Sequence, residues 1–171
     1  MNAAGEIESL DLRHFSLDDD GGDLITLDAI KRVQPQPDSL RAVTLEFLTP
    51  TRLRFESHLC DSPEFHTLFR NLARRISLLS FLHCGGEWRD SIAQEIKRAE
   101  SVKLVQHRLD WKDWRRYSNR QKGEMYLGGF MGRLGFRGEL DPFWPYLILG
   151  TYLHVGKGAT FGLGKYCLAA N

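Results

Sequence analysis

Apolar and polar residues first alternate regularly over residues 41–50. Val43, Leu45 and Phe47 fall on one side of an extended chain there, with polar residues between them. A period of two is typical of a strand with one buried face. The pattern therefore predicts a first core strand, with a short apolar extension at residues 53–55.

Two helices are predicted after this strand. The first would have Ser62 as its N-cap and Pro63 at its first helical position, and it would end at the Gly85-Gly86 pair. Its apolar residues recur at the spacing of a helix with one buried face, namely Phe65, Leu68, Phe69, Leu72, Ile76 and Leu79. A shorter helix over about residues 88–99 would extend the same layer.

Arg70 and Arg74 lie one helical turn apart on another face of the first predicted helix. Charged residues at this spacing usually belong to a solvated helix face. The sequence alone therefore indicates solvation rather than ligand binding for this pair.

A long hairpin is predicted from residues 101–115 and 124–138, joined by a basic turn at residues 117–123. Apolar residues alternate along its second arm, namely Tyr126, Phe130, Leu134 and Phe136. The same arm contains glycines that weaken a strand but permit bulges and close approach of another backbone, namely Gly128, Gly129, Gly132, Gly135 and Gly138.

The last predicted elements are a helix up to about residue 153 and a strand at residues 165–169. Asp141 would cap the helix and Pro142 would begin it. Four of its residues would face the core, namely Phe143, Leu147, Gly150 and Leu153. The resulting core order is βαββαβ.

This order predicts an α+β, ferredoxin-like domain, an antiparallel sheet with helices on one face, over residues 41–171. Residues 1–33 have the pattern of a marginal hairpin, and a Gln-Pro-Gln-Pro linker follows at residues 34–37. We therefore expect residues 1–40 to form an N-terminal hairpin arm and linker.

Charge is unevenly distributed, although the formal net charge is only +1. Residues 1–40 hold nine acidic and three basic residues, whereas residues 101–138 hold nine basic and three acidic ones. Trp111, Trp114 and Tyr117 lie in that basic stretch, and cations beside aromatic rings are typical of nucleic-acid surfaces. The alternative is a solvated hairpin whose tryptophans pack on the core.

Composition argues against a membrane protein and against a disulfide-bonded one. No apolar run approaches about eighteen residues, and residues 1–10 contain Glu6 and Glu8 but no basic group. We expect a cytoplasmic protein. The cysteines are an odd number at scattered spacings, which suggests small core residues, namely Cys60, Cys84 and Cys167.

A zinc site is conceivable but disfavoured. His58 with Cys60 and His83 with Cys84 would supply four ligands, yet neither pair has the tight CxxC form of a structural zinc knuckle. We expect neither a metal nor a cofactor.

The most specific feature of the sequence is the run Gly156-Lys157-Gly158-Ala159-Thr160-Phe161-Gly162-Leu163-Gly164-Lys165-Tyr166. Residues 156–165 are termed the glycine loop. A dinucleotide-binding motif would follow a strand and open a helix, whereas this loop follows a helix and precedes a strand. A Walker motif is excluded because Ala159 stands where its first glycine should be. The remaining interpretation is a loop whose amides approach phosphate closely, assisted by its two lysines.

The two GxG elements of this loop resemble those before the final strand of the CRISPR-associated Cas6 endoribonucleases, in the RAMP superfamily. The segment Tyr126-Leu127-Gly128-Gly129-Phe130-Met131-Gly132 is also similar to that family. The resemblance covers about residues 41–171 and implies the second of two tandem ferredoxin-like domains. It further implies metal-independent cleavage of CRISPR repeat RNA, by attack of the ribose 2′-hydroxyl on the adjacent phosphate.

CRISPR repeat RNA is therefore the expected ligand, and a missing N-terminal ferredoxin-like domain or other Cas proteins are further partners that the resemblance implies. The RNA-binding residues predicted in the basic turn and the glycine loop are Arg115, Arg116, Arg120, Lys122, Gly156, Lys157, Gly158, Thr160, Gly162, Gly164 and Lys165.

A catalytic residue is not assigned, because the family's catalytic histidine usually lies in its first domain. Proton transfer near neutral pH suits histidine, and the candidates are His14, His58, His66, His83, His107 and His154. Of these, His107 lies on the basic hairpin beside Arg108 and is the candidate preferred. Two other functions remain open, a non-catalytic RAMP subunit that holds guide RNA in an effector complex and a ferredoxin-like domain for a small ligand.

Overall fold

The computed structural model describes residues 40–56, 58–83, 92–118 and 123–169, and for residues 116–118 and 123–126 it describes the backbone. The predicted N-terminal hairpin and its linker lie outside these residues, as do the Gly85-Gly86 pair and the tip of the basic turn. The division of the chain into residues 1–40 and 41–171 stays a prediction.

The described residues form strands and helices in the following order along the chain. The strands are β1 (Ala42–Thr51), β2 (Leu53–Phe55), β3 (His58–Cys60), β4 (Lys103–Lys112), β5 (Arg115–Ser118), β6 (Gly123–Tyr126), β7 (Gly129–Arg137) and β8 (Tyr166–Ala169). The helices are α1 (Phe65–His83), α2 (Ile92–Ala99) and α3 (Trp144–Leu153). Two 3-10 turns are also present, at Asp141–Phe143 and Ala159–Phe161.

The main sheet is antiparallel, with strand order β4-β7-β1-β8. Helix α1 follows β1 in the chain, and α3 lies between β7 and β8, so the core has the predicted βαββαβ order. In the central strand β1, Leu45 is opposite both Leu134 of β7 and Leu168 of β8. The predicted ferredoxin-like α+β fold is confirmed.

One face of this sheet is buried beneath the helices. The β1 side chains predicted to point inward are all buried, namely Val43, Leu45 and Phe47. The ring centroid of Phe65 in α1 lies 5.2 Å from that of Phe136 in β7 and 5.1 Å from that of Phe143. Edge-on aromatic pairs at these distances add to the stabilisation from apolar burial. This cluster joins the helical layer to the sheet.

The opposite face of the sheet is polar. Glu46 and Arg133 are paired across β1 and β7, and their side chains form an ion pair at 3.0 Å. Arg133 is opposite Arg108 of β4, and Arg137 is opposite Lys103. An exposed ion pair contributes only about 0–1 kcal/mol. The buried face, rather than this polar one, therefore determines the strand register.

Both predicted helix caps are wrong. Helix α1 begins at Phe65, and the Glu64 carbonyl accepts the first helical amide bond at 3.1 Å, so Ser62 is not the N-cap. The Asp141 side chain caps no helix, because its carboxylate accepts the amide of Leu40 at 3.0 Å. That bond ties the start of β1 to the start of the final helical segment.

The predicted long hairpin is divided into two sheets. β4 and β7 pair as far as Lys112 opposite Gly129, and β5 and β6 then form a separate two-stranded sheet. The Leu127 amide donates to the Trp114 carbonyl at 2.7 Å between the two sheets. A Cβ at Gly129 would lie 2.5 Å from the Thr51 carbonyl oxygen, so β1 approaches β7 closely at this point. The regular pairing ends where these backbones crowd together.

The extension predicted at residues 53–55 is β2, and it pairs with β3 in a small sheet that the apolar pattern did not indicate. Asn71 of α1 holds this sheet in place. Its side chain donates to the Arg54 carbonyl at 2.9 Å and accepts the Arg54 amide at 3.3 Å. The position of β2 is therefore fixed relative to α1.

Gly150→Ala should destabilise the fold, although alanine is the better helix former. A Cβ at this position would overlap the buried hydroxyl of Tyr166 and would lie 2.7 Å from Cδ1 of Leu72. We expect the free energy of unfolding to fall by about 1–3 kcal/mol because of overpacking. Urea unfolding of the full chain measures this change.

A double-mutant cycle tests the cause of that loss. Tyr166→Phe alone removes the 2.7 Å hydrogen bond from the hydroxyl to the Leu147 carbonyl, and it should cost about 0.5–1.5 kcal/mol. Since the phenylalanine leaves room for the new methyl group, the Gly150→Ala/Tyr166→Phe variant should lose less than the sum of the single changes. Strict additivity would show that the hydroxyl is not the obstacle.

Candidate nucleic-acid interface

Three segments leave the main sheet at the same end. That end, termed the sheet end, is the row formed by Trp111, Phe130 and Thr51, which lie opposite one another on β4, β7 and β1. Beyond this row, β4 and β7 continue toward β5 and β6, and β1 continues toward β2. The glycine loop reaches the same place, because the Gly164 amide donates to the Pro50 carbonyl at 3.1 Å.

Four glycines give the glycine loop its shape. The φ angles are +85° at Gly156, +81° at Gly158, +80° at Gly162 and +72° at Gly164, all in the left-handed region that glycine adopts without strain. At Gly164 a Cβ would also overlap the Val155 carbonyl oxygen, whereas at Gly162 it would meet nothing within 4 Å. A side chain at Gly164 is therefore disfavoured by both packing and backbone conformation, whereas a side chain at Gly162 is disfavoured by conformation alone.

Most amides of the glycine loop bind within the protein. The residues whose amides donate to backbone carbonyls are Lys157, Phe161, Gly162, Leu163 and Gly164. In the described part of the chain, the amides of Gly158, Ala159 and Thr160 make no backbone hydrogen bond. The Gly156 amide likewise makes no backbone hydrogen bond there, so the predicted approach of loop amides to phosphate is limited to these four positions, beside the exposed side chain of Lys157.

His154 connects α3 to the glycine loop with a positive φ of +62° and a ψ of 170°. This conformation, which is otherwise almost confined to glycine, costs roughly 1–3 kcal/mol. Burial lowers the pKa of the His154 imidazole, a hydrogen bond with the Leu163 backbone opposes this effect, and the charges of Lys165 and Arg75 lower it further. The ring is therefore stabilised in its neutral form.

The basic hairpin formed by β5 and β6 extends beyond the sheet end. Arg115 is exposed and lies opposite Tyr126, and Arg116 is in the next register position. Arg120 and Lys122 lie outside the described residues. The predicted role of these four residues in RNA binding stays a prediction.

Two tryptophans at the base of this hairpin are half exposed. Trp111 has 46% and Trp114 has 47% of its surface accessible, and the Trp111 indole donates to the Asp113 carboxylate at 3.0 Å. Phe161 of the glycine loop is 55% exposed, and the sequence analysis did not single it out. Exposed rings at this end of the sheet provide surface on which nucleic-acid bases can stack.

His107 is not close to the glycine loop along the sheet. It is exposed and lies opposite Leu134 in the middle of β4. It lies four positions before Trp111 at the sheet end, which is about 13 Å along a strand. Its assignment as a proton-transfer residue stays a prediction.

Neither a metal cluster nor a membrane-crossing helix is found in the described part of the chain. No three histidine, cysteine, aspartate or glutamate side chains are grouped so that they could hold a metal ion there. His58, Cys60 and His83 belong to these residues, whereas Cys84 does not. No helix there has the length and apolar character needed to cross a membrane.

Two basic residues predicted to lie on a solvated helix face are exposed, and they also line a pocket. Arg70 and Arg74 of α1 share a cavity of about 280 Å³ with Arg52, Arg54 and Lys157. This cavity is termed the arginine pocket. The helical spacing shows that the first two residues share a face, but only the folded chain brings β2 and the glycine loop against that face.

The fold and the site define a ferredoxin-like domain that concentrates a glycine loop, exposed aromatic rings and positive charge at one end of its sheet. The sequence model of the family described as CRISPR-associated endoribonuclease Cas6 matches residues 45–166. The chain belongs to this family. No curated protein matches the chain.

Solved Cas6 structures share this fold. Thermus thermophilus Cas6 (TTHB231) aligns with a TM-score of 0.62 at 16% identity, over 84% of this chain and 58% of that chain. The Cas6 (TTHA0078) product complex aligns with a TM-score of 0.58 at 18% identity, over 85% of this chain and 56% of that chain. The partial Cas6-RT-Cas1–Cas2 complex aligns with a TM-score of 0.54 at 17% identity, over 85% of this chain and 25% of that chain. The chain thus spans less than two thirds of these relatives.

Alanine at two loop glycines should separate conformational strain from overlap. Gly162→Ala is expected to lower the free energy of unfolding by about 1–2 kcal/mol, the cost of a left-handed alanine. Gly164→Ala has a similar φ but also meets the Val155 carbonyl, so it should lose at least about 1 kcal/mol more. Equal losses in urea unfolding would contradict the packing argument.

The lowered pKa of His154 predicts a pH-dependent stability. In the unfolded chain the imidazole has a pKa near 6.5, so it binds protons more tightly there than in the folded chain. Stabilisation that is present above about pH 6.5 is therefore lost as the pH falls through the lower folded-state pKa. His154→Asn should remove this part of the loss, since asparagine does not titrate and any backbone strain at this position is the same at every pH.

Thermal unfolding between about pH 5 and pH 7.5 measures the effect. His107→Asn, which changes an exposed histidine on β4, is the matched control and should retain the acid loss of the unmodified chain. An unchanged pH profile in His154→Asn would assign that loss to other groups.

Proposed function

We propose that this chain recognises CRISPR repeat RNA with its sheet end, as part of a Cas6-type protein that processes precursor CRISPR RNA by metal-independent cleavage. The observation that carries the proposal is the convergence of the glycine loop, the basic hairpin and the arginine pocket at one end of the sheet. Membership of the Cas6 family supports this function over a small-ligand domain or a subunit that only holds guide RNA.

The chemistry of the sheet end suits a nucleic-acid backbone. The amides of residues 158–160 can donate to phosphate oxygens at close range, because the neighbouring glycines carry no side chain. Lys157 and Arg115 add exposed positive charge. Half-exposed rings of Trp111 and Trp114 can stack on unpaired bases. Phosphate contacts of this kind position the RNA, and stacking adds affinity.

Further Cas proteins are proposed as partners. One solved relative is an assembly of Cas6 with RT, Cas1 and Cas2, and others are Cas6 product complexes. This chain covers 58% of the length of the Thermus thermophilus protein TTHB231. We therefore propose that a further ferredoxin-like domain or another Cas protein acts together with this one.

Incubation of the full chain with labelled CRISPR repeat RNAs in EDTA tests the function, because binding and cleavage are scored together. We expect binding with little or no cleavage, since the resemblance places the family's catalytic histidine in its first domain. Efficient cleavage that is abolished by His107→Ala would place the cutting group on β4 instead. Failure to bind any repeat RNA at low salt would overturn the proposal.

Alanine at Arg115, Arg116, Arg120 and Lys122 should weaken RNA binding and flatten its salt dependence. Each lost phosphate contact removes roughly 0.7–0.9 from the slope of log affinity against log salt. Lys97→Ala/Arg98→Ala, which removes two exposed cations from α2, shows how much of the change is due to net charge alone. If the quadruple variant is folded and retains the affinity and slope of the unmodified chain, the hairpin does not contact RNA.

A further inference from the structure

Most of the side chains that line the arginine pocket are cationic. Its lining residues are Arg52, Arg54, Arg70, Asn71, Arg74, Arg75, Leu78, Gly156 and Lys157. Within the described part of the chain, no acidic side chain belongs to this lining. Positive groups that share so small a cavity repel one another, and a bound anion would relieve that repulsion.

Hydrogen bonds to the backbone of β2 hold the walls of the pocket together. Asn71 of α1 bonds both the amide and the carbonyl of Arg54, which fixes β2 against the helix. The Lys157 amide donates to the Arg52 carbonyl at 2.9 Å, which fixes the start of the glycine loop against β2. A Cβ at Gly156 would overlap that same carbonyl oxygen. The pocket is therefore built by the fold before any ligand arrives.

The guanidinium groups of α1 divide into two kinds. Arg75 donates its Nε to the Leu153 carbonyl at 2.6 Å and so ties α1 to the end of α3. Arg70 and Arg74 are exposed, as is Arg54 of β2, and none of the three makes an ion pair with a described residue. These three groups can turn their donors toward an anion.

We propose that the arginine pocket binds one phosphate of the repeat RNA, with Arg70 and Arg74 donating paired hydrogen bonds to its oxygens. This inference rests on the proposed function and extends the RNA path from the glycine loop onto α1. The planar guanidinium matches phosphate with two parallel N–H donors, which a lysine cannot do. Lys157 belongs to both the loop and the pocket, so RNA that contacts residues 158–160 can place a neighbouring phosphate in the pocket.

Arg70→Ala/Arg74→Ala should weaken binding of labelled repeat RNA about tenfold or more, the loss expected for a charge-assisted contact. The slope of log affinity against log salt should fall by roughly 0.7–0.9. The matched control is Lys97→Ala/Arg98→Ala, which removes the same charge from the exposed face of α2. Equal effects of the two variants on affinity would overturn the proposal, because net charge would then explain both.

The conservative variant Arg70→Lys/Arg74→Lys tests the geometry of the contact. It keeps the positive charge and therefore the salt slope, but it loses the guanidinium fork. We expect affinity between those of the alanine variant and the unmodified chain. Full recovery of affinity by lysine would overturn the paired hydrogen bonds in the proposal.

Neutral methylphosphonates introduced one at a time into the RNA locate the phosphate concerned. With the unmodified chain, at least one position should weaken binding about tenfold. The same replacement should have little effect on Arg70→Ala/Arg74→Ala, because its partner is already missing. If every position keeps its full effect in that variant, the pocket does not hold an RNA phosphate.

Inorganic pyrophosphate separates this inference from the proposed function. It should raise the thermal midpoint of the unmodified chain above that in sodium chloride of equal ionic strength, and it should not do so for Arg70→Ala/Arg74→Ala. A chain that shows this shift without binding repeat RNA would keep the phosphate pocket but refute the RNA function. If repeat RNA binds but pyrophosphate does not raise the thermal midpoint and no methylphosphonate position has a specific effect, the phosphate pocket is refuted and the RNA function is kept.

Discussion

The close approach of the glycine loop to the end of β1 is the constraint on which the arrangement depends. The Gly164 amide bonds the Pro50 carbonyl at 3.1 Å, and its own carbonyl accepts the Val155 amide at 2.9 Å. A side chain at Gly164 or Gly156 would overlap a neighbouring carbonyl oxygen. Because only glycine permits such contact between backbones in a left-handed conformation, the loop, β8 and one wall of the arginine pocket are all fixed to the central strand.

Sheet topology explains why the proposed binding segments meet. In an antiparallel βαββαβ sheet, the exit of β1, the turn between β4 and β7, and the entry to β8 all lie at one end. In this chain these three connections are the β2–β3 sheet, the basic hairpin and the glycine loop. The fold therefore brings together residues that are far apart in sequence, and the charges on the connections give that end its chemistry.

The elements that depend on local periodicity could be predicted from the sequence. Alternation around Leu45 and helical spacing around Leu68 both report a buried face, and each appears where it was expected. The loop glycines could be identified because a left-handed backbone restricts the residue type. Each of these signals is contained in a few consecutive residues, so it can be recognised without knowing which residues lie nearby in space.

Features that depend on distant partners could not be predicted in this way. Asp141 has the residue type and position of a helix cap, but its carboxylate bonds the amide of Leu40. Arg70 and Arg74 have the spacing of a solvated face, and nothing in that spacing shows that β2 and the glycine loop lie opposite. The same limit applies to the break in the long hairpin, which lies where β1 approaches Gly129.

The distribution of charge at the sheet end suggests a division of labour in the proposed RNA recognition. Exposed cations such as Arg115 act through solvent over a distance of about 8–10 Å at moderate salt, so in this proposal they would attract any RNA and mainly affect the rate of association. Arg70 and Arg74 lie in a cavity whose walls are held by hydrogen bonds to the backbone of β2. In this proposal a phosphate held there by two guanidinium groups would favour one register of the RNA and slow its release. A surface that must attract an RNA and also hold it in a single register needs both kinds of cation, and in this proposal the basic hairpin supplies one kind and α1 the other.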